Sequence, residues 1–256
     1  MQAFWERQVR RLGRFRGAPS TGYYLEGEKR LIDRCLPEPA GARVLKLDLW
    51  NEVKNTNVLG WLADRGAITC AVDISGELAR QAAEQFRAAG RVPRFGVANL
   101  YHLPFADGSF DFLYTMGTIE HAPEMDRCVA EIHRVLKPGG TAVVGVPNRL
   151  DPFARPALVA LMNLLGIYPY GFEQSLSRKE LAGLCESGGL EVFDTDGVLF
   201  MPGALRMAEL WLMVRSAKAG RAVGSLHWPF RALADALPAL NKHGYLIAAL
   251  VRKPQR

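Results

Sequence analysis

The chain has 256 residues, 49% of them hydrophobic, and a formal net charge of +6. That length suits one domain with an elaborated cap, and that apolar fraction allows a full core without disulfide or metal staples. No apolar run reaches the roughly 18 residues needed to cross a bilayer. The opening MQAFWERQVRRLGRFRG lacks the unbroken apolar stretch of a signal peptide, so the expected location is cytoplasmic. Cys35, Cys70, Cys128 and Cys185 lie far apart with no C-x-x-C, which excludes a zinc ribbon or a disulfide framework and reads as four small core residues in a reducing compartment.

Residues 1–16 carry Arg7, Arg10, Arg11, Arg14 and Arg16 against the single acid Glu6, with Phe4, Trp5, Val9, Leu12 and Phe15 near helical spacing. This basic amphipathic pattern suits an anionic membrane surface or a lid helix packed on its own domain. A flexible stretch at 17–22 follows, and Tyr23-Tyr24 opens a short helix that ends before Pro37. From residue 43 strands and helices alternate. RVLKLDL (43–49) is a strand, and NVLGWLADRG (57–66) a helix with Val58, Leu59, Trp61 and Leu62 on one side and Gly66 as its stop. ITCAVDI (68–74) is the second strand, and Ser75 caps a helix whose Leu78, Ala82 and Phe86 fall four apart. RFGVANL (94–100) and FDFLYTM (110–116) are the third and fourth strands. MDRCVAEIHRVLKPGG (125–140) is a helix with Val129, Ile132, Val135 and Leu136 inward, and TAVVGV (141–146) is the fifth strand. Short apolar strands separated in this way indicate a parallel, doubly wound sheet with right-handed crossovers.

After Asn148 the pattern changes. Residues 150–173 are rich in Leu, Ala and aromatics and read as an inserted helix. Ser177 to Glu180 is a capping box, its helix closed by Gly188-Gly189. LEVFDTDG (190–197) is a strand, residues 201–240 form two apolar, basic helical stretches around Ala219-Gly220, and GYLIAALVRK (244–253) is a final strand. The fold class is therefore α/β, doubly wound, with a mostly parallel seven-stranded Rossmann-like sheet and helical cap insertions. The expected divisions are 1–38 for the basic and lid helices, 39–148 for the α/β core, 149–176 for the apolar insertion and 177–256 for the rest of the sheet with its cap.

In an open α/β sheet, ligands bind beyond the carboxyl ends of the strands. Asp73 ends the second strand, where an acid accepts hydrogen bonds from both hydroxyls of a ribose. It equally suits the N-terminus of the helix that begins at Ser75.

The run NLYHLPFADGSFDFLYTMGTIEHAPEMDRCVAEIHRVLKPGG (99–140) carries the most specific signal. Leu103-Pro104-Phe105, Asp107 to Asp111, Glu120-His121, Glu131-Ile132 and Arg134 to Gly140 fit one composite pattern without gaps. That pattern resembles the class I S-adenosylmethionine-dependent methyltransferases of the ubiquinone and menaquinone biosynthesis group, which share the type 11 methyltransferase domain. The resemblance covers residues 40–148 and, less closely, 174–200. It implies S-adenosylmethionine as cofactor and methyl transfer to a small acceptor. Asp73 would hold the ribose. Asn99, where the group usually has Asp, would accept from the adenine amine through its carbonyl oxygen. Leu100 would flank the adenine, and Thr115, Met116 and Gly117 would approach the methionine part through backbone groups.

The first loop departs from this pattern. The group has an acid and then a glycine-rich turn after strand one; here Lys46 replaces the acid and no glycine occurs until Gly60. A side chain at those glycines would block close backbone approach to the cofactor, and a lysine has the wrong sign for the cofactor's ammonium. Three readings stand. Asp48, Asn51 or Glu52 replaces the acid; Lys46 points away or pairs with Asp48; or the site is dead or takes another ligand. Asp48 is carried forward as the cofactor-binding candidate.

Glu120 and His121 are the catalytic candidates. His121 reads as a general base, a substrate contact or a loop-fixing residue. An E-x-x-E-H metal set would need an acid where Gly117 stands, so no metal is expected. Methyl transfer needs alignment and exclusion of water rather than a nucleophile, and no nucleophilic triad is present. The apolar runs 150–173 and 198–215 suit a pocket for an aromatic, isoprenoid or lipid-like acceptor, or a face packed on itself or in a homodimer. A nucleic-acid partner is not expected. Strand four ends Thr115-Met116-Gly117-Thr118 rather than in an Asp/Asn-Pro-Pro-aromatic turn, and the basic charge at the N-terminus and in residues 215–231 lacks an interleaved aromatic stacking platform. A nicotinamide site is excluded by the missing G-x-G-x-x-G. A catalytically inactive scaffold, or chemistry other than methyl transfer, is the competing reading.

Overall fold

The computed structural model of the chain describes residues 1–255. Its seven strands are β1 (Arg43–Lys46), β2 (Ile68–Asp73), β3 (Phe95–Val97), β4 (Phe110–Met116), β5 (Leu136–Pro147), β6 (Glu191–Val198) and β7 (Leu246–Arg252). They form one sheet in the order β3-β2-β1-β4-β5-β7-β6. All neighbours pair in parallel except β7, which runs antiparallel to both β5 and β6. This is the mostly parallel, doubly wound seven-stranded sheet expected from the alternation of apolar runs.

The central strands are mostly apolar because both faces are covered. Successive residues of a strand point to opposite faces, so Val44, Phe112, Tyr114 and Val143 enter one core and Leu45, Leu113, Ala142 and Val144 the other. The first core is closed by α2 (Pro19–Cys35), α4 (Val58–Asp64) and α5 (Gly76–Ala88), through Leu31 and Ile32, Leu59 and Leu62, and Leu78, Ala82 and Phe86. The second is closed by α6 (Met125–Val135) and α8 (Arg178–Ser187), through Val129, Ile132, Leu181 and Cys185. All four cysteines are free and buried. The Ser177–Glu180 capping box forms as read, with the two residues bonding each other's backbone N–H.

Four local readings are corrected. Residues 19–22 are not a flexible link. Pro19 takes the first position of α2, where its missing N–H costs nothing, and the helix runs 17 residues. The helix read to 140 stops at Val135. Leu136 to Gly140 is extended, Leu136 pairing with Phe110 and Thr141 with Phe112 across a register shift. The insertion is helical only over α7 (Arg155–Leu164). The region 201–240 holds three α-helices, α9 (Gly203–Arg215), α10 (Ala217–Gly224) and α11 (Trp228–Ala236). The first break falls at Ser216, whose hydroxyl caps α10, rather than at Ala219-Gly220.

The segment after β1 also forms more than a turn. Trp50–Lys54 is a one-turn helix, α3, and Asn57 takes a left-handed conformation (φ 59°) before α4 begins. The lid helix α1 (Gln2–Arg11) is tied to this segment. Lys54 Nζ donates to the carbonyls of Val9 (2.8 Å) and Leu12 (2.9 Å), satisfying acceptors that a helix C-terminus leaves open. The Phe15 N–H donates to the Lys54 carbonyl (2.6 Å), and the Arg16 guanidinium reaches the carbonyl of Glu52. The first loop is therefore long because it is an anchor for the chain's N-terminus.

That anchoring is testable. Lys54→Met should free α1 without unfolding the sheet. Limited trypsin digestion should cleave at Arg7, Arg10 or Arg11 several times faster than in the parent, the remaining core staying protected. Equal cleavage rates would show that Lys54 does not hold the lid.

Candidate active site

The strand order reverses around β1, which sits between β2 and β4, and the crevice beyond the carboxyl ends of these strands is where the fold places ligands. A cavity of about 940 Å³ occupies it. Asp48, Asp73, Asn99, Leu100, Met116, Gly117, Glu120 and His121 all line this one cavity. Thr115 does not; it is fully buried, and Thr118 takes the place at the wall. Gly117 turns the chain out of β4 with a φ of +75°, a conformation open to glycine and strained for other residues. The far side is closed by the cap, with Met162, Tyr168, Tyr170, Arg206, Met207, Leu210 and Trp211 in its wall. The lid contributes Trp5, packed edge-on against Trp50 (6.0 Å) and His121 (4.9 Å), so the basic N-terminal helix lies over the site.

The floor of the first loop is held by a buried lysine. Lys46 is 0% exposed. Its Nζ meets Asp48 Oδ2 at 2.5 Å and the Asp48 carbonyl at 3.0 Å, with Glu52 Oε1 at 3.8 Å. Burial works against its charge, but Asp48, Glu52 and Glu28 outweigh that and hold its pKa above the ordinary lysine value. Removing one partner of such a pair leaves an uncompensated buried charge and costs about 3–5 kcal/mol. The second reading of the loop describes this geometry, since Lys46 pairs with Asp48. Asp48 nevertheless reaches the cavity, and its Oδ2 also accepts from Thr118 Oγ1 (3.2 Å). Its other oxygen, Oδ1, lies 3.4 Å from the Asn51 N–H at the start of α3. Gly60 faces no ligand. A Cβ there would come within 2.6 Å of the Asn57 side chain, so this glycine exists to seat Asn57.

Asp73 is fixed by backbone donors on both oxygens, from Ser75 N–H to Oδ1 and Leu49 N–H to Oδ2, each at 2.8 Å. Each oxygen retains a lone pair, enough for one hydroxyl apiece. Burial pushes its pKa up to about 6. Asn99 is exposed at the cavity edge; its Oδ1 accepts from the Tyr101 N–H (3.1 Å), and its amide N–H groups stay open.

His121 has a defined tautomer. Its Nδ1 lies 2.6 Å from the Phe172 carbonyl, which can only accept, so Nδ1 carries the proton and Nε2 keeps its lone pair. Burial lowers its pKa, so the ring is neutral at pH 7. Glu120 Oε1 is 3.8 Å from Nε2. Burial, with Glu173 close by, raises the Glu120 pKa well above the carboxylate range, which makes it a neutral carboxyl. Arg155 and Glu173, which the sequence reading did not single out, complete this wall with Tyr168 of the apolar run 150–173. Arg155 forms a two-pronged pair with Glu173 (2.7 and 2.9 Å), and Tyr168 donates its hydroxyl to the same carboxylate. The paired guanidinium stacks over Tyr245 at 4.4 Å. No sequence spacing announces them, because the ion pair joins the start of α7 to the end of a loop. Among the described residues no group of three or more His, Cys, Asp or Glu side chains could hold a metal ion.

The acids under the loop give a pH dependence. Burial pushes both Glu28 and Glu52 up to about 7, from an ordinary value of 4.5. The folded chain then keeps protons that the unfolded chain releases, so this stabilisation is full below about pH 4.5 and is lost as pH rises through about 7. Glu28 accepts from the Tyr114 hydroxyl at 2.9 Å, a bond that glutamine can keep. Glu28→Gln should therefore gain in melting temperature relative to the parent between pH 5 and pH 8. A pH-independent difference would show that Glu28 does not titrate in this window.

Residues 55–144 match the methyltransferase domain of type 11. A Mycolicibacterium smegmatis protein named probable S-adenosylmethionine-dependent methyltransferase is 34% identical over 148 residues, 57% of this chain and 54% of that protein. A ubiquinone biosynthesis O-methyltransferase of Xanthomonas axonopodis pv. citri is 28% identical over 169 residues, 64% of this chain and 69% of that one. The first match thus spans about half the length of its relative. Among solved structures, an S-adenosylmethionine-dependent methyltransferase from Thermotoga maritima superposes with a TM-score of 0.64 at 20% identity, covering 99% of this chain and 100% of that one. A Haemonchus contortus N-methyltransferase solved with S-adenosylhomocysteine superposes at 0.62 and 15% identity, covering 90% and 53%. These two likenesses bear on the fold alone. Residues 55–144 thus match a methyltransferase domain of type 11, and the relatives similar to this chain are named as methyltransferases; the first loop here has no glycine before Gly60.

Proposed function

We propose that the chain transfers a methyl group from S-adenosylmethionine to a small apolar or aromatic acceptor. The observation that carries this reading is the single cavity shared by the tips of β1, β2 and β4, the loop after β3 and an apolar cap. The residues present fit the nucleoside part of the cofactor. Asp73, held by two backbone N–H groups with lone pairs to spare, would take the ribose hydroxyls, and Asn99 and Leu100 would take the base. At the ammonium end the fit is altered, because the charge of Asp48 is already met by Lys46. Backbone at Met116 and Gly117 would hold the methionine part there. When bound, the cofactor supplies an electrophilic methyl on a sulfonium.

The chain's own residues do the rest. Trp5 and Trp50 wall the site against water, and the cap orients the acceptor beside the methyl. His121 Nε2, unprotonated at pH 7, would take a proton from an acceptor hydroxyl or amine. Glu120 and the Arg155–Glu173 pair position that ring rather than react. The cytoplasm and the four-part division of the chain stand as parts of the same proposal.

The cap mouth fits a membrane-borne acceptor. Leu161, Leu164, Leu165, Ile167, Trp211 and Val214 are exposed there. Val214 packs against Gly13 at the end of the lid segment, Arg11 and Arg215 line the same cavity, and the lid segment also exposes Arg10 and Arg14. Apolar side chains ringed by arginines suit an anionic bilayer, and a second copy of the chain is the other covering this face would accept. No helix of the described residues is long and apolar enough to cross a membrane.

The cofactor reading is tested by calorimetry with S-adenosylhomocysteine. Asp73→Ala should weaken binding at least tenfold, about 1.4 kcal/mol. His121→Ala should lower kcat by about a hundredfold or more while leaving that dissociation constant within threefold. Absence of binding to folded parent protein would favour an inactive scaffold. Binding without turnover over an acceptor panel would favour other chemistry; the cyclase SpnF has the same fold, with a TM-score of 0.55. In flotation, vesicles with 30% phosphatidylglycerol should carry the parent up, and Arg10→Glu/Arg14→Glu should stay down. Equal flotation of both, or a stable dimer that ignores vesicles, would remove the membrane contact.

A further inference from the structure

Two arginines are buried in the cap wall of the cavity, and only one has an acid. Arg155 is 2% exposed and its charge is met by both oxygens of Glu173. Arg206, on α9, is 6% exposed and has no carboxylate within ion-pair distance among the described residues. One of its five N–H donors is committed, from Nη1 to Ser20 Oγ at 2.6 Å. The others are not sealed in protein, as the Nε of Arg155 is; they open on the cavity. The acid on its own helix, Glu209, is buried, accepts from the Ser20 N–H at 3.1 Å and makes no ion pair with Arg206. Around Arg206 stand Tyr24, its ring 5.5 Å from the guanidinium, and the apolar Met207 and Leu210.

A buried guanidinium without a counter-charge is expensive to keep. Its planar fork matches the two oxygens of a carboxylate or a phosphate. We infer that Arg206 is the anion subsite of the acceptor: the substrate joins an apolar body, lodged against Met207, Leu210 and Trp211, to a carboxylate or phosphate received by Arg206. This rests on the methyl-transfer reading and narrows its substrate class. The bond would also orient the acceptor, because a fixed anion at the cap wall leaves the other end of the molecule directed toward β4 and His121. An acceptor bearing both an anionic group and a long apolar part would gain from both walls at once.

The test uses decanoate, decanamide and decyl phosphate on the full chain, with and without saturating S-adenosylhomocysteine. Decanoate or decyl phosphate should bind the parent at least tenfold tighter than decanamide, and whichever binds tighter identifies the anion. Arg206→Gln should bring the three ligands within threefold of one another, and Arg206→Lys should keep part of the preference. The dissociation constant of S-adenosylhomocysteine should not change in either variant. Equal binding of all three ligands to the parent overturns the proposal without needing a variant. So does a tenfold loss of S-adenosylhomocysteine affinity in Arg206→Gln with the ligand preference intact, which would give Arg206 to the cofactor's own carboxylate. Failure of S-adenosylhomocysteine to bind the parent would sink the methyl-transfer reading, while the comparison among the three decyl ligands would still decide the anion site.

Discussion

A lysine ammonium buried under the first loop is the constraint on which the rest of this site depends. With no exposed surface, Lys46 cannot be hydrated, so the chain must surround it with acceptors. Asp48 supplies two of them, its carboxylate and its carbonyl, and that bends the backbone back over the end of β1. The bend starts α3, with the second oxygen of Asp48 near the Asn51 N–H. α3 in turn brings Glu52 toward the lysine and Lys54 to the end of α1. A glycine-rich turn could do none of this, since it has no side chains with which to hold a cation or a lid. The loop gave up close backbone approach and gained a rigid joint between sheet, loop and N-terminal helix.

That joint explains why the cover of the site is built from the chain's first residues. An isolated ten-residue helix is marginal in water. α1 is held at its end by Lys54, by the Phe15 N–H, and by Trp5 lying between Trp50 and His121. The same aromatic contact couples lid position to the ring that the proposed chemistry uses. A lid that lifts takes an edge contact off His121 and opens the cavity to water in one movement.

Much of this was legible in the sequence because the signals were local. The apolar runs mark the strands, the S-x-x-E box marks the start of α8, and the composite at 99–140 marks the domain type. Helix ends were less legible where two rules competed. Pro138-Gly139-Gly140 looks like a helix stop, but pairing of Leu136 with Phe110 draws the chain into the sheet five residues earlier than composition suggests. Pro19 was hidden inside a stretch whose composition is that of a linker, although its fixed φ suits a helix start. Lys46 showed the opposite limit. Its sign was visible at once, and its partner was among the readings, but total burial is a property of the surrounding fold. Arg155, Glu173 and Arg206 were silent because their meaning lies in which segments meet, and α7, the loop after it and α9 meet only in three dimensions.

The electrostatic character of the cavity bears on the proposed chemistry. The acids around it are mostly neutral or spoken for. Burial keeps Glu120 protonated, Lys46 answers Asp48, and Arg155 answers Glu173. A sulfonium placed there would meet few free negative charges, and methyl transfer discharges a sulfonium. Strong carboxylate pairing would stabilise that charge before reaction more than during it, and so would raise the barrier. A site that took the ribose at Asp73, as proposed, and left the sulfur in neutral surroundings would separate binding from reaction. The exchange of the usual acid for a lysine then touches binding rather than rate: the acid would meet the cofactor's ammonium, which keeps its charge through the reaction, so losing that attraction weakens ground and transition state alike.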